Sequence, residues 1–193
     1  MTRPGPFTPG VAMLALLAAA CSDRPRPPAS TGRRIAAGQV QGLRPSPDGS
    51  RLAWLERCAR PPLATLPEGI LSCDLLVAPA AGGPAVRVAE GVSSLELGYA
   101  WGRDGSLAAL ADHDYRTGSG ALVLLRPGGA PERLASSVTY YGFGARGELG
   151  FVSAGGLQVA TPGGGAAAVT GATGVATFEF DPTDPSRMLA RRQ

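Results

Sequence analysis

Few side chains in this chain could carry chemistry. There are one histidine and three cysteines in 193 residues. His113 sits in the run Asp112-His113-Asp114, within the polar stretch 111–120. The three together could hold a metal or steer a base. A metal site needs three or four ligands, and no further ligands stand at a suitable spacing. The same stretch reads as a hairpin loop, because turns favour Asp and Gly. No metal and no other cofactor is expected. Cys58 and Cys73 could form a disulfide, remain thiols, or serve redox or metal chemistry. The sequence has no Gly-x-Ser-x-Gly nucleophile elbow, no His-Glu-x-x-His and no Cys-x-x-Cys. The Gly-rich stretch 161–168 lacks the Gly-Lys-Ser/Thr of a phosphate loop and reads as a hairpin turn. No catalytic residue is assigned, and no enzyme activity is expected of this chain.

Composition narrows what could position such residues. The chain has 28 Gly and 18 Pro, which disfavour helix interiors by ~1 and ~3 kcal/mol relative to Ala. A helical bundle is therefore excluded. Disorder is disfavoured too, because 44% of residues are hydrophobic and the net charge is only +3. All 18 basic residues are Arg, scattered along the chain, with Arg33-Arg34 and Arg191-Arg192 the adjacent pairs. A pI near 9.1 without a basic stripe gives no reason to expect a nucleic-acid partner.

The N-terminus combines Arg3 with an unbroken apolar run over residues 11–20. A bilayer span needs ~20 apolar residues, so the run fits the core of a signal peptide. It ends Ala18-Ala19-Ala20-Cys21-Ser22. This resembles the lipobox of bacterial lipoproteins, with Ala18 where that family prefers Leu. An ordinary signal-peptidase site also fits Ala18 and Ala20. The lipobox resemblance implies cleavage after residue 20, lipidation of Cys21 and a membrane attachment through that lipid. In such lipoproteins an Asp directly after the Cys tends to retain the protein at the inner membrane. Ser22 holds that place here, which implies the periplasmic face of the outer membrane. The Pro-rich stretch 21–32 reads as a tether.

The remainder, 33–193, is repetitive. Segments 42–58, 98–112, 140–154 and 178–192 share one plan: a short strand, a polar turn and a second apolar strand. The turns carry Asp48-Gly49, Asp104-Gly105 and Gly147, with Asp184 and Pro185 at the corresponding turn of the fourth. Between them, segments 75–89, 122–135 and 157–171 each read as two strands about a Gly-Gly hairpin turn. Four strands per ~40 residues is the signature of a β-propeller blade. Residues 45–54 resemble the repeat of TolB-type propellers, related in shape to WD-repeat blades. That family places an aromatic four residues before the turn Gly. Trp101 and Phe143 match, Phe180 matches approximately, and Pro45 departs. The recurring Trp54, Tyr99 and Phe178 are expected in the core between blades, with Trp101, Phe143 and Phe180.

The expected fold is thus all-β, a propeller of four-stranded antiparallel blades, three complete and two partial. The stretch 33–38 aligns with the outer strand at 86–91, and the fourth unit stops after two strands. The expectation is a propeller truncated at its C-terminus. A short protein that closes its ring by oligomerising is the rival. Cys58 would end a second strand and Cys73 open the antiparallel third, so the two should pair as a disulfide across the insertion 59–72. The functional expectation is a lipid-anchored, non-catalytic envelope scaffold that binds a protein or peptide. The alternative is the propeller part of a larger exported enzyme. Prolyl-oligopeptidase-type serine peptidases carry similar repeats ahead of their catalytic domain.

Overall fold

The computed structural model describes residues 36, 38–63, 65–95, 98–184 and 187–192. The expected signal peptide, Cys21, the tether and Pro185 lie outside them, as does most of 33–38. The described residues form β-strands, turns and loops, with no helix among them. The first sheet consists of β1 (Gln41–Pro45), β2 (Arg51–Ala59), β3 (Ser72–Pro79) and β4 (Val86–Ser93). The second consists of β5 (Tyr99–Trp101), β6 (Leu107–Asp114), β7 (Ser119–Leu125) and β8 (Pro131–Val138). The third is β9 (Tyr140–Phe143), β10 (Leu149–Ser153), β11 (Gly156–Ala160) and β12 (Ala166–Ala168). Each is an antiparallel meander in chain order. The fourth pairs β13 (Val175–Phe180) with β14 (Met188–Arg192).

Strand periodicity explains how the sheets pack. Successive residues of a strand point to opposite faces. In β6, Leu107, Ala109 and Ala111 join a core with Ala53, Leu55, Leu75 and Val77 of the first sheet. Their neighbours Ala108 and Leu110 face the other way, into a core with Tyr141, Leu149 and Phe151 of the third. The third and fourth sheets share a smaller core around Val152, Leu157, Val175 and Phe178. β6 and β7 are therefore apolar on both faces, as a sheet packed on two sides must be. Each leucine buried there contributes ~1.5–3 kcal/mol. Trp54 differs from the other aromatics. It lies with Leu76 and Ala78 on the opposite face of the first sheet, and its Nε1 donates to Glu56 Oε2 at 3.1 Å.

The turns repeat bond for bond. Gly49 N donates to Ser46 O, Gly105 N to Gly102 O and Gly147 N to Gly144 O. All three turn glycines have positive φ, which explains Gly at these places. Asp48 accepts from Ser46 Oγ, Ser50 N and Ser50 Oγ. These bonds hold its carboxyl down at about 2, the Ser46 hydroxyl contributing most. Asp104 accepts from Ser106 N and Oγ in the same way. In the fourth unit this carboxylate is Asp181, which accepts from Thr183 and from the backbone N–H of Asp184. Asp184 instead gives its carbonyl to Arg187 N.

Aromatic residues on the first strand of each later sheet, β5, β9 and β13, reach back onto the preceding sheet. Tyr99 Oη donates to Ala53 O at 3.2 Å, and Tyr141 Oη to Ala108 O at 3.3 Å. Burial pushes the Tyr99 hydroxyl up to about 12 and raises that of Tyr141 further. Phe178 has no hydroxyl, and its ring lies against Gly150, where a Cβ would collide with it. Phe143 covers Gly102 and Phe180 covers Gly144 in the same manner. Trp101 donates to Arg44 O at 3.2 Å, and the Arg51 guanidinium stands 5.0 Å over its ring.

Candidate functional site

A meander sends alternate connections to opposite sheet edges. The β1–β2 and β5–β6 turns meet at one edge, where Arg51 donates to Gly105 O. The β2–β3 and β6–β7 connections, with the β4–β5 link, meet at the other. This second edge carries the long insertion and the histidine.

Cys58 and Cys73 are joined there by a disulfide. It closes the insertion at its base, as the antiparallel pairing of β2 with β3 requires. Its C-terminal end is tied to the β4–β5 link: Leu71 N donates to Ser94 Oγ at 3.0 Å, and Ser94 N to Leu71 O at 2.8 Å. Tyr115, from the β6–β7 turn, donates to the same Leu71 carbonyl at 3.0 Å. Two neighbouring sheets thus share one acceptor, and their loops form one surface.

His113 lies in a bulge that is repeated. The β2–β3 register shifts between Glu56 and Ala59, and the β6–β7 register between Ala111 and Asp114. Arg57 and Asp112, within these shifts, both have positive φ. Ala53 and Ala108 are equivalent, each accepting from the tyrosine of the next sheet. Counting on from them, His113 occupies the place of Cys58, and Gly120 that of Cys73. Gly120 allows a close backbone approach, since a Cβ there would collide with Ala111 O at 2.7 Å and stand 3.5 Å from His113 Cα. The imidazole meets Tyr115 edge to face, ring centres 4.7 Å apart. Burial lowers its pKa, against the pull of Asp114.

The acidic neighbours turn elsewhere. Asp112 is 3.8 Å from Arg133, and Asp114 accepts from Arg116 N within its own turn. Among the described residues no cluster of three or more His, Cys, Asp or Glu side chains could hold a metal. Asp112, His113 and Asp114 are adjacent in sequence but do not converge.

Beside the imidazole is a cavity of about 380 Å³, lined by Ser93, Leu95, Gly98, Leu110, His113, Gly118 and Thr139. It draws on β4 and β6, the β4–β5 link, the β6–β7 turn and the β8–β9 link. Apart from His113, none of these residues stands out in the sequence, because they are small or aliphatic and far apart. The one usable signal is the alignment of repeats that places His113 on Cys58. The repeat residues Asp48, Gly49, Asp104, Gly105 and Gly147 lie at the opposite edge, in turns. Trp101, Phe143 and Phe180 lie between sheets. No protein-family model matches this chain, and no curated protein matches it in sequence.

Proposed function

We propose that this protein is a lipid-anchored envelope scaffold, built of propeller-type blades, that binds a partner protein or peptide through its disulfide-tied loop edge. The observation that carries the reading is the convergence of the insertion, Tyr115 and the β4–β5 link on Leu71. Loops held by a rigid sheet stack are where binding residues concentrate. The stacking of three four-stranded meanders, with equivalent turns and equivalent aromatic contacts, supports the blade reading. The Ala18-Ala19-Ala20-Cys21 sequence supports lipid attachment at Cys21.

Photo-cross-linking on isolated envelopes tests it. A benzophenone side chain is placed at exposed loop-edge positions 60, 68 and 116, or at exposed turn-edge positions 103 and 146. The expected result is a discrete adduct from the loop edge alone, with Cys21→Ser moving the protein from the membrane fraction to the soluble one. Equal adducts from both edges refute the binding face. Unchanged fractionation of Cys21→Ser refutes the anchor.

A further inference from the structure

We infer that the cavity beside His113 binds an uncharged, largely apolar molecule that carries a carbonyl oxygen. The inference rests on reading the loop edge as a binding face, and names what its deepest part accepts. The volume, about 380 Å³, falls in the range of ~300–1,000 Å³ typical of small-molecule sites. Leu95 and Leu110 supply apolar wall, and Gly98 and Gly118 add no side chain to it. Gly98 is required for that shape, because a Cβ there would collide with the carbonyl of Ser93. Among the described lining residues none carries a charge while the imidazole is neutral. An ion entering this space would leave water without meeting an opposite charge among the described lining residues, which is costly.

The polar groups in the wall present donors. His113 Nδ1 is buried and has no hydrogen-bond partner. A proton on Nδ1 would be a buried donor with nothing to bond, so the hydrogen-bond network assigns it to Nε2. Nε2 has no hydrogen-bond partner among the described residues and, unlike Nδ1, is not buried, so its N–H is accessible beside the cavity that His113 lines. Ser93 is 4% exposed, and its Oγ accepts from Leu95 N at 3.3 Å. That bond uses a lone pair and leaves the hydroxyl proton to be donated. Thr139 adds a second hydroxyl at the exposed side of the cavity. Apolar walls with two or three neutral donors match a carbonyl on an apolar body.

The test uses 6-propionyl-2-dimethylaminonaphthalene, a neutral ketone whose emission shifts to the blue in apolar surroundings, titrated into the full chain. The expected result is saturable binding of this ketone and none of anilinonaphthalene sulfonate, an anion of similar size. His113→Phe keeps a ring and removes the donor, and should weaken binding about three- to tenfold. Thr139→Trp, at an exposed position, should abolish it by filling the cavity, with the melting temperature unchanged. Absence of saturable binding to the unaltered chain overturns the inference. So does unchanged binding to Thr139→Trp, or binding of the anion as strong as that of the ketone. Should the loop-edge cross-links persist while the ketone fails to bind, the cavity inference alone falls. Loss of the cross-link contrast overturns the binding face itself.

Discussion

Substituting Gly102 by Ala should loosen the second sheet from the third. A Cβ on Gly102 would stand 2.8 Å from Cδ1 and Cε1 of Phe143 and 2.7 Å from Asp104 Oδ1. Carbon atoms rest ~3.5–4.0 Å apart at their optimum, so the ring overlaps the new methyl by ~0.7 Å or more. Phe143 packs against the core shared by the two sheets, and Asp104 is held by its bonds to Ser106. Neither can yield freely. Overpacking of this kind costs ~1–3 kcal/mol. The stiffer unfolded chain returns ~0.4–1 kcal/mol, leaving a net loss of about 1–2 kcal/mol. At ~2–4 °C per kcal/mol for a domain of this size, the melting temperature should fall by ~2–8 °C. Gly142 is the control, because a Cβ there meets nothing within 4 Å, and Gly142→Ala should raise melting by ~1–4 °C through the stiffer unfolded chain alone. Adding Phe143→Leu to Gly102→Ala should recover part of the loss, as a coupling of at least ~0.5 kcal/mol in a double-mutant cycle. What persists belongs to Asp104. Equal melting of the two alanine variants, or strict additivity in the cycle, would refute the contact.

Three further outcomes follow from the same geometry. Reducing the Cys58–Cys73 bond, which spans 15 residues, should add two protons by mass and lower stability by ~3 kcal/mol, read by urea unfolding with and without reductant. His113 has a folded pKa below its ordinary 6.5, so the unfolded chain takes the proton first. Stability should be full above pH ~6.5 and decline as pH falls below it. His113→Gln should flatten that decline, and NMR titration of the single imidazole should report the lowered pKa directly. Asp48, at about 2, with Asp114 and Asp181 also lowered, contributes stability that is present above the ordinary carboxylate range. It is lost as pH falls from ~4 towards ~2, and Asp48→Ala should shallow the acid limb of a pH-melting curve.

Local features of the fold were legible wherever a residue type has one conformational reason to be present. Gly49, Gly105 and Gly147 mark turns because each needs positive φ. The Gly-rich hairpins at 81–83, 128–129 and 163–165 separate paired strands for the same reason. The facing of Cys58 and Cys73 followed from antiparallel neighbours. What escaped was set by tertiary contact. The bulges at Arg57 and Asp112 use residues with no glycine signal. The fourth turn, between Phe180 and Met188, is one residue longer than the first and two longer than the second and third, and its carboxylate is Asp181 rather than Asp184. Trp54 shares the apolar character of its neighbours, yet strand parity sends it to the opposite face of its sheet. The cavity was invisible because its walls come from β4, β6 and three connections, brought together only by stacking.

The central claim is that one edge of the stacked sheets gathers the loops of neighbouring sheets into a single face. Pulsed electron spin distance measurements test it most directly, with labels on keto side chains so that the disulfide stays intact. Positions 60 and 116 lie in the insertion and in the β6–β7 turn, at the shared edge. Position 103 lies at the far end of β6, eight residues long, or about 25 Å away along the strand. The distance between 60 and 116 should be short and narrowly distributed, and that between 60 and 103 should exceed it by about 20 Å. Equal distances for the two pairs, or a broad distribution for 60 with 116, would contradict the claim.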